Sequence, residues 1–463
     1  MMLRKLAIVS VATGLLGSPV LAQPANPPPS DHMVAFEKDL DALFAPGGLT
    51  AEQAAGRAAS VSPTVRRRAA EIEAAIAQAT AAELARVPQV GAKLSYTRLS
   101  PIDPISFGPG MPGFEFLNNS YLAEATIAIP LSDYLLRYPK LIEAARLGEQ
   151  VARVSKQSSE VDAGQEARVA YYEWVRAELQ VLVAKRQVTQ VQTALKQVRA
   201  LAEVQRLSRA DLMRVESQEA QTRQVLDQLQ NLADLREEQL RLLIGAPANQ
   251  QLTVGEDVRR DIAGPPAGQL DQLLTTAKAQ RLDFRVLDLG IVAKEKQRDS
   301  EHASRWPRLS AFGVADYANP NPRAFPPEEK FTLSWSVGAQ LTWQLNDILI
   351  AGTTDRRLRA ETDQLRADRE NLERGARIQV LSAQQAVMLA THALETTNKG
   401  LAAAEEGYRV RRELLNADRA TAVELVDAET DLTRARIAAL NARVDLRVAL
   451  SQLSHALGHD VKK

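Results

Sequence analysis

The chain has 463 residues and no cysteine. It therefore has no disulfide staple and no thiol for a lipid anchor, so packing alone must hold it together. No run reaches the roughly 18 apolar residues that a membrane-spanning helix requires. If the chain enters a bilayer, it does so as strands. Neither sign of charge prevails, with 57 basic against 57 acidic residues, which gives no support to nucleic acid as a partner. Catalytic patterns are missing too. No phosphate loop, nucleophile elbow or zinc spacing is present. The histidines His32, His302, His392, His455 and His459 are scattered. Only the last two lie close, with Gly458 between them at a helix end. No catalytic residue, metal or cofactor is expected, and the chain does not read as an enzyme.

What is present points to long helices. Aromatics make up only 5%, while Ala, Leu, Arg, Glu and Gln abound, the mixture of coiled coils. At the start, Arg4 and Lys5 precede an apolar stretch from Leu6 to Leu16, and Val20-Leu21-Ala22 follows. That order is a secretory signal peptide, expected over residues 1–22, with cleavage after Ala22 or alternatively Ala25. Residues 23–48, with prolines at 24 and 27–29, read as a flexible lead-in.

The remainder repeats itself. Asp211-Leu212-Met213-Arg214-Val215-Glu216 recurs 213 positions later as Glu424-Leu425-Val426-Asp427-Ala428-Glu429. The same offset carries Gly245 onto Gly458. Leu131-Ser132-Asp133 matches Leu345-Asn346-Asp347, and Pro88 matches Pro307, in the same order. The sequence divides into a first repeat at 49–247, a linker at 248–267, a second repeat at 268–458 and a tail at 459–463. Each repeat reads helix, strand, loop, strand, long helix, turn, helix.

The first helix opens at Thr50 with Gln53 three residues on, a capping-box pattern, and is expected to run to about Arg86 before Pro88. Over 331–345, Phe331, Leu333, Trp335, Val337, Ala339, Leu341, Trp343 and Leu345 alternate with polar or small residues. A shorter stretch at 121–131 alternates likewise. Such strands suit a membrane barrel or a soluble sandwich; their length and the aromatics near their ends favour the barrel. Pro/Gly-rich turns, at 108–113 and at 319–327, join the strands of each pair. Residues 141–207 and 357–415 are expected as helices, the first on the order of 100 Å long. Over the last helix Leu425, Ala428, Leu432, Ala435, Ala439, Ala442, Leu446, Ala449 and Leu453 form a heptad seam. Between them lie polar residues, including Arg436 and Arg447.

This order of elements, the Leu345-Asn346-Asp347 turn into a long helix, the Glu424-Leu425-Val426-Asp427-Ala428 segment and the ending at 450–458 resemble the TolC-type outer-membrane factor family. The resemblance implies a mainly α fold with membrane β. Three chains would each give four strands to one twelve-stranded barrel, above a periplasmic helical coiled-coil tunnel. It implies an outer-membrane exit duct for a tripartite efflux pump or type I secretion system, with its helices in the periplasm. The partners it implies are a homotrimer, a periplasmic adaptor, an inner-membrane pump or ABC transporter, and outer-membrane lipid. On the family pattern Glu424 and Asp427 would ring the constriction at the tunnel tip. Arg206, Asp211, Asp418 and Arg419 would sit at adaptor-contacting tips. The turn glycine of the family is replaced by Gln205 and Asp418. An alternative from another class is a periplasmic coiled-coil adaptor, which usually carries one hairpin where this chain has two.

Overall fold

The structure is a computed structural model, and it describes residues 31–103, 116–205, 208–260, 268–417 and 419–460. The expected signal peptide, the loop at 108–113, and the tip residues Arg206 and Asp418 lie outside these residues. The chain begins with α1 (Asp31–Leu43), β1 (Phe44–Leu49), α2 (Ala51–Val61) and α3 (Pro63–Leu84). β2 (Gln89–Arg98), β3 (Asn119–Ile129) and a short α4 (Leu131–Leu136) lead into α5 (Tyr138–Glu203) and α6 (Arg209–Ile244). The second half repeats the plan as α7 (Leu270–Gln280), α8 (Leu282–His302), β4 (Arg308–Asn319), β5 (Thr332–Thr342), α9 (Leu345–Asn416) and α10 (Ala422–Leu457).

Two helices run the length of the molecule. α5 has 66 residues and α9 has 72, which at 1.5 Å per residue is about 100 Å and about 110 Å. Neither can bury an apolar stripe alone, so each changes partners half way. In its first half α5 meets α3 and α8, through Arg146–Glu83 at 2.6 Å and Lys296–Glu143 at 2.8 Å. Lower down it meets α6 and α10, through Arg199–Glu216 at 2.9 Å and Gln180–Asn441 at 3.0 Å. α9 likewise pairs first with α8, through Lys294–Glu361 at 2.8 Å, and then with α10, through Arg411–Glu424 at 3.4 Å.

The change of partner needs two breaks, and glycine makes both. α6 stops at Gly245 (φ +64°) beside Val61, and α10 stops at Gly458 (φ +74°) beside Gln280 and Arg281. Both take the left-handed conformation that closes a helix and that glycine adopts at least cost. The repeated glycine of the sequence thus marks one structural event in each half. The single first helix expected over 50–86 is two helices. Its Thr50–Gln53 capping box forms, but Ser62 turns extended (ψ 128°) ahead of Pro63, which opens α3. The strands also shift. β5 spans 332–342 where 331–345 was expected, because Leu345 already begins α9; β3 spans 119–129 where 121–131 was expected, because Leu131 begins α4.

Two stretches assigned by composition to a lead-in and a linker carry ordered structure. α1 and β1 fall within 31–49, and Gly255 donates its amide to the Leu49 carbonyl at 2.8 Å. Val254 and Val258 bury beside Leu40, Tyr171 and Trp174 of the largest apolar cluster. The crossing is tight: a Cβ on Gly255 would lie 2.1 Å from the Gly48 carbonyl oxygen. Arg259 clasps Glu37, Asp41 and Asp257 at 2.6–2.9 Å, and Arg447 of α10 reaches the Glu256 carboxylate and the Arg260 carbonyl. These contacts form a belt around the middle of the helices. They also explain why Arg447, read from the heptad as an outward residue, is buried.

The four strands form one antiparallel sheet in the order β2-β3-β4-β5. Val90, Leu94 and Tyr96 of β2 share a face with Tyr121 and Ile127 of β3. Leu309 and Tyr317 of β4 and Leu333, Trp335, Val337 and Leu341 of β5 continue the same face. Thr126, Ser336 and Gln340 occupy the other.

Candidate functional site

The sheet is inside out. Leu333, Trp335 and Val337 are 70%, 67% and 76% exposed, while the alternating Thr332, Ser334 and Ser336 are half-buried. β3 behaves alike, with Tyr121 and Ile127 exposed and Ser120, Glu124 and Thr126 partly covered. A sandwich would lay its apolar face on a second layer. Among the described residues no second layer exists, and the apolar face stands bare. An exposed apolar patch of this extent marks a surface for lipid or protein. At one edge of the ladder, Tyr317 stacks on Phe331 at 5.3 Å and Tyr121 lies 5.9 Å from the same ring. An aromatic group at a strand end is what a membrane interface favours. β2 and β5 also leave their outer edges unpaired among the described residues. No helix is long and apolar enough to cross a membrane among the described residues.

At the far end lie the hairpin tips. α10 is opened by a complete capping box. The Thr421 amide donates to Glu424 Oε2 at 2.9 Å, and the Glu424 amide donates to Thr421 Oγ1 at 3.2 Å. This cap holds the Glu424 carboxyl below its usual range, with Arg411 contributing. Asp427, one turn on, stands exposed 3.8 Å from Arg214 of α6. The sequence pair Glu424 and Asp427 thus sits at one hairpin tip, and each reaches an arginine on a different neighbouring helix. Both ion pairs are solvent-exposed, and water and salt screen such pairs to little net worth. They hold the tips together weakly.

Of the remaining tip residues, Asp211 sits at the start of α6, where Ser208 caps its amide at 3.1 Å. The Arg419 amide donates to the Leu414 carbonyl at 2.8 Å, closing the α9–α10 turn. Gln205 takes φ +56°, the one positive φ outside glycine among the described residues.

A buried polar group escaped sequence reading. Glu429 of α10 is 5% exposed, and its Oε1 has no hydrogen-bond partner. Burial pushes its carboxyl up to about 7 despite Arg436 on the same helix. Tyr408 and Glu405 of α9 face the same cluster. Arg436, expected on the polar side, is buried here as well, and burial pulls its guanidinium down. The signal was available in the spacing: Glu429 lies four residues after Leu425 and three before Leu432, so it shares the seam face.

Among the described residues no cluster of metal-ligating side chains occurs. Comparison with known proteins matches residues 273–459 to the family described as outer membrane efflux protein. The fold is similar to a solved structure of CusC (TM-score 0.73, 16% identity, 90% of this chain and 93% of that one). It is similar also to the CmeC outer-membrane channel of Campylobacter jejuni (TM-score 0.72, 12% identity, 98% and 94%). The open state of the MtrE outer-membrane channel of Neisseria gonorrhoeae gives TM-score 0.69 at 18% identity, over 89% of each chain. A comparison with curated protein sequences finds no match. The four-stranded sheet and the paired long hairpins are the fold shared with these solved outer-membrane channels. The match to the outer membrane efflux protein family thus covers the second half of the chain, and the likeness to solved outer-membrane channels extends the shared fold over the rest.

Proposed function

We propose that three copies of this chain form the outer-membrane exit duct of a tripartite efflux pump or a type I secretion system. The observation that carries this reading is the sheet whose apolar face is bare and whose polar face is sheltered. In lipid, open strand edges are forbidden, and four strands are too few to close a barrel, whose minimum is about eight. Twelve strands from three copies remove every edge and turn Leu333, Trp335 and Val337 to lipid. The alternative, a soluble periplasmic adaptor, leaves that face in water.

In this reading the duct is passive and gated at its tips. Glu424 and Asp427 from three copies ring the axis. The ring attracts cations, and it resists closure unless basic neighbours offset the repulsion. Arg411 and Arg214 are those neighbours. An adaptor engages the tips at Arg206, Asp211, Asp418 and Arg419, and an inner-membrane pump or ABC transporter supplies the energy. Tip contacts this weak can be exchanged for contacts with a partner at little cost.

The test is single-channel conductance in planar bilayers, wild type beside Glu424→Gln/Asp427→Asn. Both replacements remove charge, and glutamine keeps the capping box, so a change reports on the ring and not on a frayed helix. The expected result is a small cation-selective conductance in wild type that changes in size and loses selectivity in the variant. A conducting channel indifferent to the variant refutes the gate residues. A folded protein that never conducts supports the adaptor.

A further inference from the structure

The polar face of the sheet carries one more pattern. The four strands contain only five charged residues: Lys93, Arg98, Glu124, Arg308 and Asp316. Arg98 and Arg308 are strand termini. The other three fall in a single row across the sheet, because Lys93 pairs with Glu124, Glu124 with Asp316, and Asp316 with Ser334. Glu124 and Asp316 therefore stand directly opposite each other on adjacent strands. Like charges so placed repel and weaken a sheet. Neither forms an ion pair within 4 Å of a basic group among the described residues, and Asp316 Oδ1 is out of contact with water and lacks a hydrogen-bond partner. Their strands gain no visible stability from them.

We propose that Lys93, Glu124 and Asp316 set the ion preference of the membrane segment, as a charged ring inside the barrel separate from the tip gate. The proposal rests on the three-copy duct. All three residues have the parity of the polar face, which a closed barrel turns to its lumen. Twelve strands spaced about 4.8 Å apart and tilted about 40° close at a Cα radius of about 12 Å. Side chains projecting inward leave their charges roughly 6–8 Å from the axis, within the screening length of about 8 Å at physiological salt. The ring's field thus covers the whole bore. Each copy contributes two carboxylates and one ammonium, a net single negative charge, so the ring favours cations. The row lies mid-strand in β2 and β3, well away from the tips at the other end of α5 and α9, and the two filters act in series.

The experiment is the reversal potential of the reconstituted full-length protein under a KCl gradient. Wild type is compared with Glu124→Gln/Asp316→Asn and, separately, with Lys93→Gln. Removing the carboxylates leaves three lysines in the ring, and the cation-to-anion permeability ratio is expected to fall by at least about two-fold. Lys93→Gln is expected to raise it. Both shifts should shrink between 0.1 M and 1 M KCl, as the screening length drops from about 10 Å to about 3 Å. Channels of normal conductance whose reversal potential is the same in all three proteins overturn the proposal. If the paired variant fails to assemble, Lys93→Gln and Asp316→Asn alone decide, with opposite signs expected. A wild type that does not conduct at all overturns the duct itself and this ring with it.

Discussion

Gln205 holds a left-handed backbone at the α5–α6 turn, a conformation that costs an L-residue about 1–2 kcal/mol. Gln205→Gly is expected to stabilise that tip by up to about 1 kcal/mol, part of the gain being offset by the freedom glycine adds to the unfolded chain. Slower amide exchange in residues 195–215 would register it. Gly458→Ala has the opposite sign. Its φ of +74° disfavours a side chain, and the new Cβ would meet Arg281 N at 2.9 Å. A loss of about 1–3 kcal/mol and a lower thermal midpoint are expected. Gly56→Ala, in α2 with no atom within 4 Å of the new Cβ, is the control and should be neutral or gain about 1 kcal/mol. At this scale the sequence was informative wherever backbone conformation alone decides. The Gly245/Gly458 repeat and the Thr50 cap could be read directly, while the Gln205 turn came only through the family resemblance. It was silent on Gly255, because nothing local announces that Gly48 will press on it from two hundred residues away.

The α9–α10 pair carries a buried carboxyl that makes it sensitive to pH. The Glu429 carboxyl stands at about 7 in the folded chain against 4.5 when free, so folding tightens its hold on the proton. Its stabilising contribution is complete below about pH 4.5 and declines as pH rises, until it is lost above about pH 7. The swing is on the order of 3 kcal/mol. Between pH 5 and pH 8 the thermal midpoint of wild type should therefore fall more steeply than that of Glu429→Gln, which cannot ionise. Equal slopes would mean that Glu429 gains compensation when the protein assembles. The seam itself was legible, since Leu432, Ala439, Ala442, Ala449 and Leu453 are buried as the heptad requires. Arg436, Arg447 and Glu429 were not, because a heptad specifies which face is inward but not how wide it is. A third helix or a crossing segment widens it: Arg447 is buried by the 256–260 stretch. Helix breaks were harder to place than helices. Pro63 sat inside the single helix expected over 50–86, and the change of α5's partner from α3 to α6 explains why the chain needs an interruption there.

For the whole molecule, the alternation in β5 left two architectures open, and the structure separates them by which face is sheltered. Local periodicity gives two faces to a strand but cannot say which one meets water. The arrangement found here, with apolar residues bare and the polar residues of β3 and most of β5 half-buried, is stable only if something apolar covers the outside. The proposed trimeric barrel meets that requirement and pairs the two open edges. The most direct measurement places a spin label at successive positions of β5 in the reconstituted protein and compares collisions with oxygen, which partitions into lipid, and with a water-soluble nickel complex. Labels at 333, 335 and 337 should favour oxygen, and labels at 334 and 336 should favour nickel, with a period of two. Equal access to nickel at all five positions would contradict a membrane barrel and leave the sheet in water.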